Sequence, residues 1–264
     1  MKLSISNIGW TAENDEAVYA LMQKYGFSGL EIAPTRIFPE QPYDRLAEAS
    51  AWAKKMQDKY AFTIPSMQSI WYGRQEKLFG NDEERQALVD YTKKAIDFAE
   101  TVGCKNLVFG CPRNRNLPGG VDGEVAIAFF KEIGDYAASH NTVVGMEANP
   151  PIYNTNYIND TASALDLIEQ VGSDGFKLNL DVGTMIENGE AVDVLKGKEH
   201  LINHVHISEP GLKPIEERQL HKDLAEVLKS CNYDGFISIE VGKQEDINEL
   251  KKMMRYVSSI FGDR

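Results

Sequence analysis

Four residues carry the most chemical information in this chain, because each closes a short apolar run. They are Glu147 after Val144-Gly-Met, Asp181 after Leu178-Asn-Leu, His206 after His204-Val, and Glu240 after Ile237-Ser-Ile. An ionised carboxylate inside an apolar strand is costly unless it is partnered. Three carboxylates brought to one point repel one another unless a cation lies among them. Two Glu, one Asp and one imidazole make a hard, oxygen-rich donor set. It suits a single divalent ion, Mn²⁺, Co²⁺, Mg²⁺ or Zn²⁺, without choosing among them. In His204-Val-His206 the two rings share a face, since alternate strand residues point the same way. His206 lies nearer the strand end and is the expected ligand. His204, deeper, is either a hydrogen-bonded support or a substrate contact. Taken singly, each acid also fits a helix cap or half of an ion pair.

The four residues meet only if the strands lie side by side. Strand-like runs are expected at Lys2–Ser6, Gly29–Ile32, Phe62–Ser66, Asn106–Gly110, Thr142–Glu147, Lys177–Asp181, Asn203–Ile207 and Gly235–Glu240. Helical spacing follows each, at Thr11–Tyr25, Tyr43–Lys59, Asp82–Val102, Val121–Ser139, Asp160–Val171, Ala191–Gly197, Arg218–Cys231 and Glu245–Phe261. Glycine-bearing turns such as Gly26-Phe-Ser-Gly29 and Tyr233-Asp-Gly235 lead from helix to strand. Strand and helix alternating eight times predicts an α/β fold, one (β/α)₈ barrel domain over residues 1–264. A doubly wound open sheet would show a glycine-rich loop after its first strand. Asn7-Ile-Gly-Trp10 has one glycine there. In a barrel the C-terminal strand ends form the active face, so the last four strands would present the four residues side by side.

The 264 residues carry 28 Lys and Arg against 40 Asp and Glu, a net charge of −12. That balance argues against polyanion binding, which needs a basic stripe, but not against a small anionic ligand. No apolar run approaches a membrane span. Three cysteines, Cys104, Cys111 and Cys231, form no CxxC pair, and the N-terminus lacks a signal-peptide core. A cytoplasmic protein with neither nucleic-acid nor membrane partners is expected.

At Glu147, Asp181, His206 and Glu240, with the H-x-H and the closing Ser-Ile-Glu-Val, the chain resembles the sugar isomerase/epimerase superfamily. That superfamily has the xylose isomerase-like TIM barrel, shared with repair endonucleases. The resemblance runs through the whole chain in strand order. It implies a ketose 3-epimerase-like site in which Glu147 and Glu240 both bind one divalent metal ion and act as acid and base. It also implies a homodimer or homotetramer. Two departures narrow it. The trinuclear endonucleases place a His three residues after the Asp of the sixth strand, where this chain has Thr184, and another His near Gln68. Several sugar epimerases also bind substrate through that first His, so Thr184 points to an unusual sugar.

A bound metal would stabilise the enediolate formed when a proton leaves the carbon next to a carbonyl. Return of the proton to the opposite face epimerises, return to the neighbouring carbon isomerises, and loss of a β-hydroxyl dehydrates. The reading is a metal-dependent sugar or sugar phosphate isomerase/epimerase. A dehydratase acting on a keto-polyol or keto-acid, or a non-catalytic sugar-binding barrel, is the alternative. Candidate substrate contacts are Arg113 and Arg115 in the turn after the fourth strand, Gln68 and Trp71 after the third, and Asn149 after the fifth. His204, His221 and Lys243 complete that set.

Overall fold

The computed structural model describes residues 1–262. Seven strands lie parallel: β1 Lys2–Ser6, β2 Phe27–Glu31, β3 Leu107–Phe109, β4 Val144–Met146, β5 Phe176–Asp181, β6 Ile202–Ile207 and β7 Phe236–Ile239. Their order is β2-β1-β7-β6-β5-β4-β3. The gap between β2 and β3 is filled by the predicted third strand. It forms only isolated parallel bridges, Gly29 to Thr63, Ile32 to Met67 and Met67 to Leu107. Pro65 explains the difference, because it has no N–H to give to a ladder. The bridges still close the ring, and the fold is a xylose isomerase-like TIM barrel.

Nine α-helices lie among the described residues: α1 Asp15–Tyr25, α2 Pro34–Ile37, α3 Leu46–Tyr60, α4 Asp82–Val102, α5 Glu124–Ser139, α6 Thr161–Val171, α7 Val182–Asn188, α8 Gln219–Ser230 and α9 Ile247–Phe261. The expected helix over 82–102 matches α4 to the residue. It starts at a reciprocal cap between Asn81 and Glu84 and stops at Gly103 in the left-handed region. The helix expected over 191–197 is instead a 3₁₀ turn at Val192–Leu195, and α7 forms directly after β5. None of the described helices is long and apolar enough to cross a membrane.

Alternation sorts each strand into two faces. Leu3, Ile5, Leu30, Val144, Met146, Leu178, Leu180, Val205, Ile237 and Ile239 are buried in the apolar core. The other parity carries Ser4, Ser6, Glu31, Asn179, Asp181, His204, His206 and Ser238, all buried as well. The barrel interior is therefore polar, and it is wired together. Asn106 Nδ2 donates to Ser66 Oγ (3.0 Å) and Asn179 Oδ1 (3.1 Å), while Asn203 Nδ2 donates to Asn106 Oδ1 (2.9 Å).

Candidate metal centre

Glu147 and Glu240 sit one residue past β4 and β7, Asp181 ends β5, and His206 lies on β6. One ligand atom from each lies within 4.8 Å of the others. His206 Nδ1 is 3.0 Å from Glu147 Oε2 and 3.3 Å from Glu240 Oε2. The three acids keep 7%, 8% and 8% exposure, toward a cavity they help to line, while His206 has none.

The acids differ in how they are held. Asn149 Nδ2 donates to Glu147 Oε1 at 3.0 Å and Asn179 Nδ2 to Oε2 at 2.8 Å. Asp181 caps α7: the Thr184 N–H and hydroxyl both reach Oδ2 at 2.8 Å, and Ser208 donates to Oδ1. Asp181 is thus helix cap and candidate ligand at once. Among the described residues, the one donor to the Glu240 carboxylate is His206. Two glycines make room. A Cβ on Gly110 would lie 3.0 Å from Glu147 Oε1, and one on Gly183 would lie 2.8 Å from Ser208 Oγ.

Electrostatics follow from burial. Burial and the Glu147 charge push Asp181 up to about 6, against the hydrogen bonds from Ser208 and Thr184. Burial likewise pushes Glu240 up to about 7; His206 opposes the rise, and Glu147 and Asp181 reinforce it. Burial disfavours a charged His206, but the charges of Glu31 and Glu240 and the hydrogen bonds to Glu147 and Glu240 outweigh it. Its pKa is held well above the ordinary imidazole value. A proton on His206 Nδ1 thus sits between two carboxylates, the place a cation suits.

Sequence reasoning missed Glu31. Its carboxylate ends β2 with no exposure and accepts from both imidazoles, His206 Nε2 at 2.9 Å and His204 Nε2 at 3.0 Å. Gln68 Nε2 bridges Glu31 Oε1 (3.0 Å) and Ser6 Oγ (2.6 Å). Burial opposes charge on Glu31, yet the two His hold it well below the usual carboxylate range. With Nε2 committed to Glu31, His206 turns Nδ1 to Glu147 and Glu240, the carboxylate–histidine support common behind metal-ligating imidazoles. The signal was available, since Glu31 closes the apolar run Gly29-Leu30 as the other acids close theirs.

The donor set and its hydrogen-bonded backing fit a hard divalent cation. Of the predicted substrate contacts, Gln68, Trp71, Arg113 and Asn149 line the cavity with the three acids. Four others do not, for physical reasons. Arg115 is fully buried, donating to the Glu147 carbonyl (2.9 Å) and Asn149 Oδ1 (2.9 Å). Burial lowers its pKa to about 10. His204 is packed beneath His206 against Glu31. His221 is on the buried face of α8, hydrogen-bonded to Tyr256 (3.0 Å), and burial drops its pKa to about 4. Lys243 is exposed and paired with Glu245 at 2.9 Å. Thr184, where a His stands in the resembled enzymes, donates to the Ala148 carbonyl (2.7 Å) as well as to Asp181.

A closed parallel barrel with ionisable groups at neighbouring strand ends defines a class of barrel proteins that work at one rim. Residues 19–258 match the family model described as xylose isomerase-like TIM barrel, and the chain belongs to that family. No curated protein sequence matches it. Among solved structures it is similar to D-psicose 3-epimerase with D-tagatose from Clostridium cellulolyticum H10, at 16% identity and a TM-score of 0.79 over 100% of both chains. It is similar to 3-keto-D-glucoside 4-epimerase YcjR from E. coli, at 19% identity and a TM-score of 0.77, over 98% of this chain and 99% of that one. A third is the probable 3-DHS dehydratase AsbF from Bacillus anthracis, at 17% identity and 0.68 over 100% of both.

Proposed function

We propose that this barrel is a divalent-metal-dependent sugar isomerase or epimerase that moves a proton on the carbon beside a carbonyl. The observation that carries the reading is the convergence of Glu147, Asp181, His206 and Glu240 within 4.8 Å at one rim. The similarity to two sugar epimerases of the same fold agrees with it. Glu147, Asp181, His206 and Glu240 would hold one ion, which supplies Lewis-acid polarisation of the substrate carbonyl.

The chain's own residues supply the rest. Both oxygens of Glu147 are fixed by amides, so its carboxylate presents a constant direction to the substrate. Glu240 has no such amide, and His206 is its one donor among the described residues, so its carboxylate is the less constrained of the two and the better placed to take up and return a proton. With Glu147 and Glu240 on opposite sides of a bound sugar, one removes the proton and the other returns it to the far face. Gln68, Asn149 and Trp71 line the cavity beside them, the two amides already engaged with Glu31, Ser6, Glu147 and Arg115, so they shape the wall against which a sugar would lie.

A dehydratase is the second reading, favoured by the match to AsbF over both full chains. Incubation of the Mn²⁺-loaded protein with ketoses and aldoses in D₂O separates the two. A +1 mass gain on one compound, abolished by chelator, supports proton transfer. A loss of 18 mass units moves the assignment to dehydration. Turnover of neither kind in a metal-loaded sample contradicts both.

A further inference from the structure

We propose that the substrate carries a terminal anionic group, a phosphate or a carboxylate, and that Arg113 and Lys77 bind it. The inference rests on the proton-transfer reading and deepens it by naming the substrate class. In a chain with a net charge of −12, cations without an acid beside them are informative. The Arg113 side chain is exposed, lines the cavity and has no partner among the described residues. Lys77 lines the same cavity, and its ammonium donates to the Arg113 carbonyl oxygen at 2.7 Å. It too pairs with no acid among the described residues. Arg74, also on the wall, is by contrast committed to Glu76 and lies over the Tyr91 ring.

The backbone that carries the two cations is itself tied down. Asn114 donates through Nδ2 to the carbonyls of Arg74 (3.2 Å) and Glu76 (2.8 Å), and its own carbonyl accepts from Leu78 N at 2.8 Å. That ties the 71–78 loop to the turn that carries Arg113. Ser69 and Cys111, both on the cavity wall, adopt the left-handed region at φ 56° and 45° without being glycine. Such conformations persist where the surroundings over-determine them and cluster at ligand clamps. The chain from Gly110, where an added Cβ would crowd Glu147 Oε1, leads through that turn to Arg113. A cavity of about 640 Å³ thus joins an acidic, metal-suited floor to two unneutralised cations. Opposed charge at two places in one cavity matches a sugar whose carbonyl end goes to the metal and whose other end is anionic.

The test is calorimetric binding to the Mn²⁺-loaded protein of matched pairs: D-fructose with its 6-phosphate, D-ribulose with its 5-phosphate, and L-sorbose with 5-keto-D-gluconate. The double variant K77Q/R113Q, altered at two cavity-wall cations outside the core, is measured beside the wild type. We expect at least one anionic member to bind about tenfold tighter than its neutral partner. That preference collapses in the double variant, and the preferred pair tells phosphate from carboxylate. Equal affinity within every pair, no binding by any anionic member, or a preference that survives the double variant overturns the proposal. The same samples, scored for deuterium gain, keep the two readings apart. Exchange on neutral ketoses without an anion preference overturns the subsite alone. Anion preference without exchange on any compound overturns the proton-transfer reading alone.

Discussion

The two halves of the barrel use strand ends for different work. In the second half, the positions after β4 and β7 and the ends of β5 and β6 present Glu147, Glu240, Asp181 and His206 to one point. In the first half, β1 ends in Ser6, β2 in Glu31, the bridging segment runs to Gln68 and β3 leads to Gly110. Those residues do not join the acid cluster. Ser6, Gln68 and Glu31 form a hydrogen-bonded chain that ends on His206 Nε2, and Gly110 leaves space beside Glu147. One half supplies donors and the other orients them. A buried imidazole has two nitrogens, and a carboxylate behind one decides where the other points.

That division makes graded predictions. The largest effect belongs to the second half. Glu147→Gln and Glu240→Gln each cost about 10³-fold or more in deuterium incorporation at the sugar carbon, beyond the 10²–10⁴-fold range of one acid–base group if metal is lost too. A variant that retains exchange within tenfold of wild type removes that Glu from the proton path.

Damage to the first half is expected to act through affinity. Glu31→Gln leaves a hydrogen-bonding side chain of the same size but no charge behind His206. Metal affinity, read by calorimetry, should weaken about 10–100-fold, with exchange recovering at saturating metal. Loss of exchange that excess metal does not restore would give Glu31 a direct part in the chemistry and erase the contrast.

Acidity separates the halves as well. Asp181 and Glu240 have folded pKa values of about 6 and 7, raised above their ordinary values of 3.8 and 4.5. In the metal-free protein their contribution to stability is present at low pH and is lost as pH rises through 6 to 7. A metal must displace those protons and the one on His206, so its affinity rises with pH. Metal binding should tighten by at least about twentyfold between pH 6 and pH 8, with a larger metal-induced rise in Tm at the higher pH. Affinity that is flat across that range would mean the ligands are already ionised.

The smallest effect is outside the cavity. Lys243→Gln breaks an exposed ion pair with Glu245 that solvent screens. Affinity for any anionic sugar should stay within about twofold. A larger loss would bring Lys243 back among the substrate contacts.

Much of this arrangement is legible in the sequence, because period-two alternation places an acid after an apolar run on the inner face. The same rule applies to Glu31, yet a rule that seeks only donors does not ask what lies behind the histidine. Pro65 hides the third strand's irregularity, since its neighbours still alternate. Asp181 hides α7: one carboxylate serves as cap and candidate ligand, and Gly183 weakens the helical pattern after it. Arg113 and Arg115 share a turn and look alike in sequence, but burial separates them, and burial there depends on packing against Asn149 and β3. His221 was separable by spacing alone, since it shares the buried face of α8 with Leu224, Ala225 and Leu228.

The most direct test of the central claim is crystallographic. A crystal grown with Mn²⁺ and measured near the manganese absorption edge should show one anomalous peak per chain. It should lie about 2.0–2.3 Å from a carboxylate oxygen of Glu147, Asp181 and Glu240 and from His206 Nδ1, as hard divalent ions bind such donors. A peak elsewhere, or one bound through His206 Nε2 beside Glu31, would contradict the division of labour between the two halves.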